Sequence, residues 1–299
     1  MIPFELAEPR TLKAAVKLLD AGDESVRVFG GGTALMLMMK LGVLRPARLV
    51  SLRAVERRCF DIATGSGGEL RIGAMVTLSA LEESPAVAVA APVITRTLRT
   101  LASVRVRNVA TIGGHVAHAD PHMDLPPVLI ALGAKVGIAG PSGERTIPLE
   151  ELYAGYLETT LARNELVAEV IVPKQSSRRA AYLKCTTRSA DDWPALGMAA
   201  VLDLDGDRVR DARLVVSAAT DVPIRLVAAE AALRGTQADD AALRRAADAA
   251  CAEAGVIGDA HGSAAYKREL LRVYLARALR AALAEGDGMK VTKKGDGKR

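Results

Sequence analysis

Two glycine-bearing segments, each entered from an apolar run, most constrain how this chain can fold. The first is Gly30-Gly31-Gly32-Thr33, reached from Val26-Arg27-Val28-Phe29 and left through Ala34-Leu35 and the residues up to Leu41. The β-branched run reads as a short strand. The residues after the glycines read as a helix with Thr33 at its cap. Upstream, Leu12, Ala15, Val16 and Leu19 share one helical face, with Thr11 as N-cap and Gly22 as the stop. Helix, strand, glycine loop and helix, followed by a strand at Arg48 to Leu52, make a small α/β unit. Its backbone N–H groups and one helix N-terminus point at whatever lies over the loop.

The second segment, Thr111 to Asp124, holds three of the four histidines (His115, His118 and His122) with Asp120, Asp124 and a Gly-Gly pair. Two chemistries use such residues. A metal site would draw on the histidines and carboxylates, but the spacing does not match the His-x-His-x-Asp-His pattern of metallo-hydrolases. The only other histidine is His261, so no second ligand cluster follows, and no metal is expected. A phosphate loop would draw on the glycines, which let a backbone approach a ligand and align N–H groups as an anion nest. Two such loops suit a diphosphate clamped from two sides. Neither is a standard fingerprint: the first lacks the P-loop lysine and departs from Gly-x-Gly-x-x-Gly. Each also reads simply as a tight turn.

Between and beyond these segments the chain reads as alternating elements. Leu70 to Ala74 is a strand, Thr77 opens a short helix, and Ala86 to Leu101 is a longer one after Pro85. Val104 to Ile112 leads into the second segment, and Leu125 to Leu132 is an apolar run ending at Gly133. Lys135 to Ala139 and Glu165 to Val172 are strands. After Pro173 the pattern changes to antiparallel strands at Ala180 to Thr186, Gly197 to Leu204 and Ala212 to Ala218, with Asp205-Gly206-Asp207 as a hairpin turn. Three alanine-rich helices follow, near Val227 to Leu233, Asp239 to Ala254 and Ala264 to Leu283. In the last, Tyr266, Leu270, Tyr274, Ala278 and Ala281 form the expected stripe. The expected organisation is a domain over residues 1–175, with parts at about 1–57 and 58–175, a second domain over 176–286, and a disordered basic tail over 287–299. The fold class is α+β: a small α/β unit plus a mixed α+β unit, then a smaller α+β domain of antiparallel strands and a helical bundle.

Composition excludes several classes. Aromatics are only 3% of the chain and the net charge is +5, partly in the tail, so no nucleic-acid partner is expected. Three scattered cysteines, Cys59, Cys185 and Cys251, make neither a disulfide framework nor an iron–sulfur or zinc site. No apolar run reaches the roughly 18 residues of a membrane span, so the protein is not expected to be an integral membrane protein. The N-terminal residues lack a signal-peptide pattern, and a cytoplasmic location is expected.

Gly30-Gly31-Gly32-Thr33-Ala34-Leu35 resembles the first flavin loop of the FAD-binding subunit of molybdenum hydroxylases, and Arg105 through Gly114 resembles the second. His118-Ala119-Asp120-Pro121, followed by Asp124-Leu125-Pro126, is most similar to the medium subunits of aerobic carbon monoxide dehydrogenases and their relatives, among them xanthine dehydrogenase FAD-binding subunits. Arg71-Ile72-Gly73-Ala74, Gly155-Tyr156, Tyr182-Leu183-Lys184 and Tyr266-Lys267-Arg268 extend the resemblance over about residues 3 to 285.

That resemblance implies FAD as cofactor. It places the diphosphate over Val28, Phe29, Gly30, Gly31, Gly32, Thr33, Ala34 and Leu35 on one side, and Thr111, Ile112, Gly113, Gly114 and His115 on the other. Asp124 would bond the cofactor or fix the loop. Leu101 falls where some relatives place a ring against the flavin. Val167 and Lys184 would lie near the isoalloxazine, and Trp193 would cover a flavin face. No residue of this chain is expected to be catalytic toward substrate. Molybdopterin and [2Fe–2S] clusters are expected only in a large and a small partner subunit, in a dimer of heterotrimers. FAD would take electrons from the [2Fe–2S] clusters and pass them to quinone, dioxygen or NAD. Ala134 to Pro148 carries no cysteine insertion, so no additional cluster is expected. A free-standing flavin oxidoreductase and a non-enzymatic nucleotide-binding module are the alternatives.

Overall fold

The structure is a computed structural model and describes residues 2–19 and 23–291. The chain forms two compact units. Among the described residues, the first runs as far as Asp120 and takes in 133–174, and the second takes in 121–132 and the chain from Gln175 onward.

The first unit begins with strand β1 (Glu5–Ala7), helix α1 (Leu12–Leu18), β2 (Val26–Phe29), α2 (Thr33–Lys40) and β3 (Arg48–Ser51). β3 is the centre of a three-stranded sheet in which β1 and β2 both run parallel to it. Thr11 caps α1, its hydroxyl accepting from the Ala14 N–H at 3.0 Å. Gly22, the expected stop, lies outside the described residues. Thr33 does not cap α2. It is the first helical residue, and Gly32 is the N-cap at φ 78°. The left-handed turn needs a residue without a β-carbon, and the Phe29 ring occupies the place where one would be.

A five-stranded antiparallel sheet follows, in the order β4 (Ile62–Thr64), β5 (Leu70–Gly73), β10 (Leu166–Val172), β6 (Lys135–Gly140), β7 (Gly143–Pro148). Leu12, Ala15 and Val16 of α1 share one apolar cluster with Val26, Val50, Ala139 and Leu166, which joins the two sheets. Helices α3 (Leu78–Glu83), α4 (Pro85–Ala90), α5 (Pro92–Leu98), α6 (Val104–Arg107) and α7 (Ile112–Ala117) lie between β5 and β6 in sequence. The single helix expected over Ala86 to Leu101 is two. Pro92 offers no N–H and its ring clashes with the preceding turn, so α5 starts afresh there. A hairpin of β8 (Tyr153–Gly155) and β9 (Glu158–Thr159) completes the unit.

Helix α8 (Leu125–Ala131) belongs to the second unit rather than to the domain expected to contain it, because it packs on the sheet of that unit. The sheet has the order β11 (Arg179–Cys185), β12 (Leu196–Asp205), β13 (Arg208–Ser217), β14 (Ile224–Arg225), all antiparallel. Helices α9 (Val227–Leu233), α10 (Asp240–Glu253) and α11 (Ala264–Val291) cover one face, with Leu271, Leu275, Leu279 and Ala282 meeting Met198, Leu202, Leu214 and Val216. The buried stripe of α11 shares Ala278 with the expected one and otherwise runs one residue round from it. Tyr266 is exposed and Leu270 and Tyr274 only half-buried, because the inward row begins at Lys267. α11 extends to Val291, into the stretch expected to be tail, and residues 292–299 lie outside the described residues. Among the described residues no helix is long and apolar enough to cross a membrane.

Candidate functional site

The expected site residues fall in both units, and each set is built within its own. In the first, β2 delivers Gly30–Gly32 against the backbone of Val109–Thr111. A β-carbon on Gly31 would overlap the Val109 carbonyl oxygen and approach the Ala110 Cα to 2.9 Å, and one on Gly30 would meet the Thr111 Oγ1 at 3.0 Å. The two loops are thus packed backbone to backbone. α2 then starts with no side-chain cap and no acidic residue in its first turn. The N–H groups of Thr33, Ala34 and Leu35 have no intrahelical acceptor and sit at the positive end of the helix dipole. The Arg53 guanidinium lies 5.4 Å from the centre of the Phe29 ring. Uncapped amides, a positive helix end and no carboxylate fit a bound diphosphate.

The second loop works differently from the facing amide nest expected of it. Thr111 caps α7, its hydroxyl accepting from the Gly114 N–H at 3.2 Å. The Ile112 N–H donates to the Val76 carbonyl at 2.9 Å and the Gly113 N–H to Ala74 at 2.8 Å. These amides stitch the loop to the chain after β5. Gly113 is a packing residue: a β-carbon there would stand 2.6 Å from the Ala74 Cβ. Gly114 is the exception, being exposed with only the Thr111 Oγ1, at 3.1 Å, near its missing side chain. Upstream, the buried Arg107 is held by Glu82 at 2.8 Å and donates to the Leu101 and Ala102 carbonyls at 2.9 and 2.7 Å. Sequence reasoning did not single out this arginine, which sets the Leu101 turn. The Leu101 and Val167 side chains are both buried inside the unit.

His115 is buried on α7, and its Nε2 has no hydrogen-bond partner. Burial, reinforced by the charge of His118, pushes its pKa down from 6.5 to about 3, so the folded chain holds it neutral. The sign of the linkage follows. As pH falls below 6.5 the unfolded chain takes up a proton that the folded chain refuses, and stability is lost across the window from 6.5 to about 3. His115→Leu is expected to remove that share of the loss, about 2 kcal/mol between pH 7.5 and pH 5. Urea midpoints of both proteins at the two pH values measure it. Equal acid losses would show that the imidazole is not buried neutral.

In the second unit Asp124 precedes α8 without capping it. Its carboxylate turns to β11, where residues 182 and 184 share a face. The Tyr182 hydroxyl donates to Oδ1 at 2.6 Å and the Lys184 Nζ to Oδ2 at 2.9 Å. Both members of the ion pair are buried. Burial pushes the Asp124 carboxyl up against the pull of Lys184 and Tyr182, and burial with the Asp124 charge pushes the Tyr182 hydroxyl well up. Lys184 also donates to the Asp192 carbonyl at 3.1 Å, fixing the backbone immediately before Trp193. The indole of Trp193 stacks on His122, ring centres 5.6 Å apart and planes 16° off parallel. Among the described residues no three His, Cys, Asp or Glu side chains are grouped to hold a metal.

Residues 2–175 match the family described as the FAD binding domain in molybdopterin dehydrogenase, and residues 181–282 match the CO dehydrogenase flavoprotein C-terminal domain. The chain is 32% identical to the carbon monoxide dehydrogenase medium chain of Hydrogenophaga pseudoflava, over 95% of this chain and 99% of that one. It is 28% identical to the glyceraldehyde dehydrogenase medium chain of Sulfolobus acidocaldarius, over 93% and 97%. Its fold matches the solved carbon monoxide dehydrogenase of Hydrogenophaga pseudoflava lacking the Mo-pyranopterin moiety, with a TM-score of 0.90 at 34% identity, over 95% and 99% of the two chains. The chain belongs to the family of FAD-binding medium subunits of molybdopterin dehydrogenases, and FAD is its cofactor.

Proposed function

We propose that this chain is the electron-transfer subunit of a cytoplasmic heteromeric molybdenum hydroxylase, assembled with a large molybdopterin subunit and a small [2Fe–2S] subunit as a dimer of heterotrimers. It takes electrons from the [2Fe–2S] clusters of the small subunit and passes them to quinone, dioxygen or NAD. The observation that carries this reading is the uncapped N-terminus of α2 behind Gly30–Gly32, in a chain whose relatives are medium chains of dehydrogenases.

Bound FAD supplies the exchange between single-electron arrivals and two-electron delivery. The chain's own residues bind and orient it. Thr33, Ala34 and Leu35 offer amides to the diphosphate, and Gly30–Gly32 let the loop before them pack against Phe29 and Val109–Thr111. Thr111 and Gly113 hold the neighbouring backbone rigid through their bonds to Gly114 and Ala74. Asp124, Lys184 and Trp193 form a linked set within the second unit. On this reading the substrate is oxidised at, and chosen by, the large subunit.

The isolated chain is therefore expected to hold FAD that dithionite reduces, yet to oxidise no substrate of its own. Turnover of a purine, an aldehyde or carbon monoxide by this chain free of other subunits would overturn the reading. Turnover restored only on adding large and small subunits supports it.

A further inference from the structure

Lys267 of α11 has no exposed surface, an unusual state for a lysine. Its ammonium donates to the Ala218 carbonyl at 2.7 Å and pairs with the Asp259 Oδ2 at 2.6 Å. Asp259 is itself anchored. Its Oδ1 accepts the His261 N–H at 2.7 Å, and its N–H donates to the Gly262 carbonyl at 3.0 Å. The same Oδ2 faces the His122 Nε2 at 2.9 Å. Desolvation pushes the Asp259 carboxyl up, but hydrogen bonds from Lys267, His261 and His122 and the charge of Lys267 outweigh it and hold it down at about 2, so it stays ionised and accepts from all three. The His122 ring is thereby fixed at one edge by the carboxylate. It is flanked by the His261 ring, tilted 47° at 5.0 Å, and lies flat on the indole of Trp193.

Trp193 sits in the irregular connection between β11 and β12 and is 50% exposed. A half-exposed indole on such a segment has freedom to swing unless something holds it. Here the Asp192 carbonyl is held by Lys184, and one indole face is held by His122. We propose that His122 is a positioning residue for Trp193, and that Lys267 and Asp259 are the mount that fixes His122. An indole so held is suited to stack on a planar, electron-poor ring, and taking the oxidised isoalloxazine as that ring rests on the flavin reading above. Aromatic stacking is geometry-dependent, so an indole held in one orientation stacks on a ligand better than a mobile one.

Trp193 is the only tryptophan of the chain, so its fluorescence reports this residue alone. In the full-length, flavin-free protein a stacked imidazole quenches the indole and restrains it. His122→Gln is expected to make the emission brighter and its anisotropy lower, since the stacked ring is gone. Asp259→Asn keeps the ring but loses its charged anchor, and is expected to move both readings in the same direction by a smaller step. Lys267→Met removes a buried ammonium and endangers the fold, so the two milder variants carry the test. Unchanged emission and anisotropy in folded His122→Gln would overturn the mount. Added FAD then tests the ligand clause: quenching in the wild type, with a visible flavin band that differs between wild type and His122→Gln, upholds it. Quenching that is absent while FAD is bound overturns the ligand clause and leaves the mount standing. FAD that does not bind at all, by absorbance, sinks the flavin reading itself and leaves the mount to be judged by emission.

Discussion

Gly31→Val is expected to empty the protein of FAD and destabilise it, whereas Gly114→Val is expected to weaken FAD binding while the fold survives. The difference lies in what each new side chain meets. At Gly31 a β-carbon runs into the Val109 carbonyl and the Ala110 Cα, which are backbone and cannot rotate away. The first loop must separate from the second, at a cost of about 1–3 kcal/mol or more. The amides that open α2 swing with it. Charge-assisted hydrogen bonds contribute about 1.5–3 kcal/mol each, so losing two or three weakens binding by several orders of magnitude. At Gly114 the residue is exposed and a β-carbon meets only the Thr111 hydroxyl, which must give by a few tenths of an ångström, so the disturbance is confined to the cap of α7. Ala34→Ser is the control, expected to change stability by less than about 0.5 kcal/mol because the loop binds through its backbone. Flavin absorbance per chain, with circular dichroism for the fold, separates the three. A Gly31→Val protein that folds and keeps all its flavin would reduce these glycines to turn residues.

Lys184→Met is the second large effect, expected to cost about 3–5 kcal/mol at neutral pH because it leaves a buried carboxylate without its counter-charge. Burial already pushes the Asp124 carboxyl up, and without Lys184 nothing but Tyr182 opposes that shift. The penalty is thus full above the raised pKa of Asp124 and is relieved as pH falls through it, when the carboxyl takes up a proton. The variant should be relatively less impaired at pH 5 than at pH 7. The double variant Lys184→Met/Asp124→Asn should recover most of the loss, since a neutral amide still accepts from Tyr182 and no charge is left buried. Denaturation midpoints of the three proteins at both pH values decide it. A single variant that costs less than about 1 kcal/mol would show that the pair is solvated.

Local pattern made the first half of the site legible. Val26 to Phe29 is a β-branched run that ends at three glycines, and nothing outside the segment is needed to turn the chain there. The antiparallel strands and hairpin after Arg179 were legible for the same reason. The second loop was not. Whether its amides are free depends on the carbonyls of Ala74 and Val76, which lie far back in the chain and take the N–H groups of Gly113 and Ile112. The Leu101 turn likewise depends on Arg107 and Glu82, and nothing in the spacing of either residue announces a buried ion pair.

The second unit shows the same limit. A stripe drawn through Tyr266 and Tyr274 follows side-chain apolarity, but the inward row includes a lysine, which pattern reading places in solvent. Lys267 is inside because Asp259 and the Ala218 carbonyl are there to receive it. Trp193 was legible as a ring of interest from the resemblance alone. Its partner, His122, was weighed only as a metal ligand, since its stacking and its bond to Asp259 join segments remote in sequence.

The central claim is that the first unit binds FAD through Gly30–Gly32 and the N-terminus of α2. It is tested most directly by identifying and counting the flavin that acid releases from the purified chain and from its Gly31→Val variant. FAD in equimolar amount is expected from the wild type and almost none from the variant. FMN as the only flavin, or full FAD occupancy in a folded variant, would contradict it.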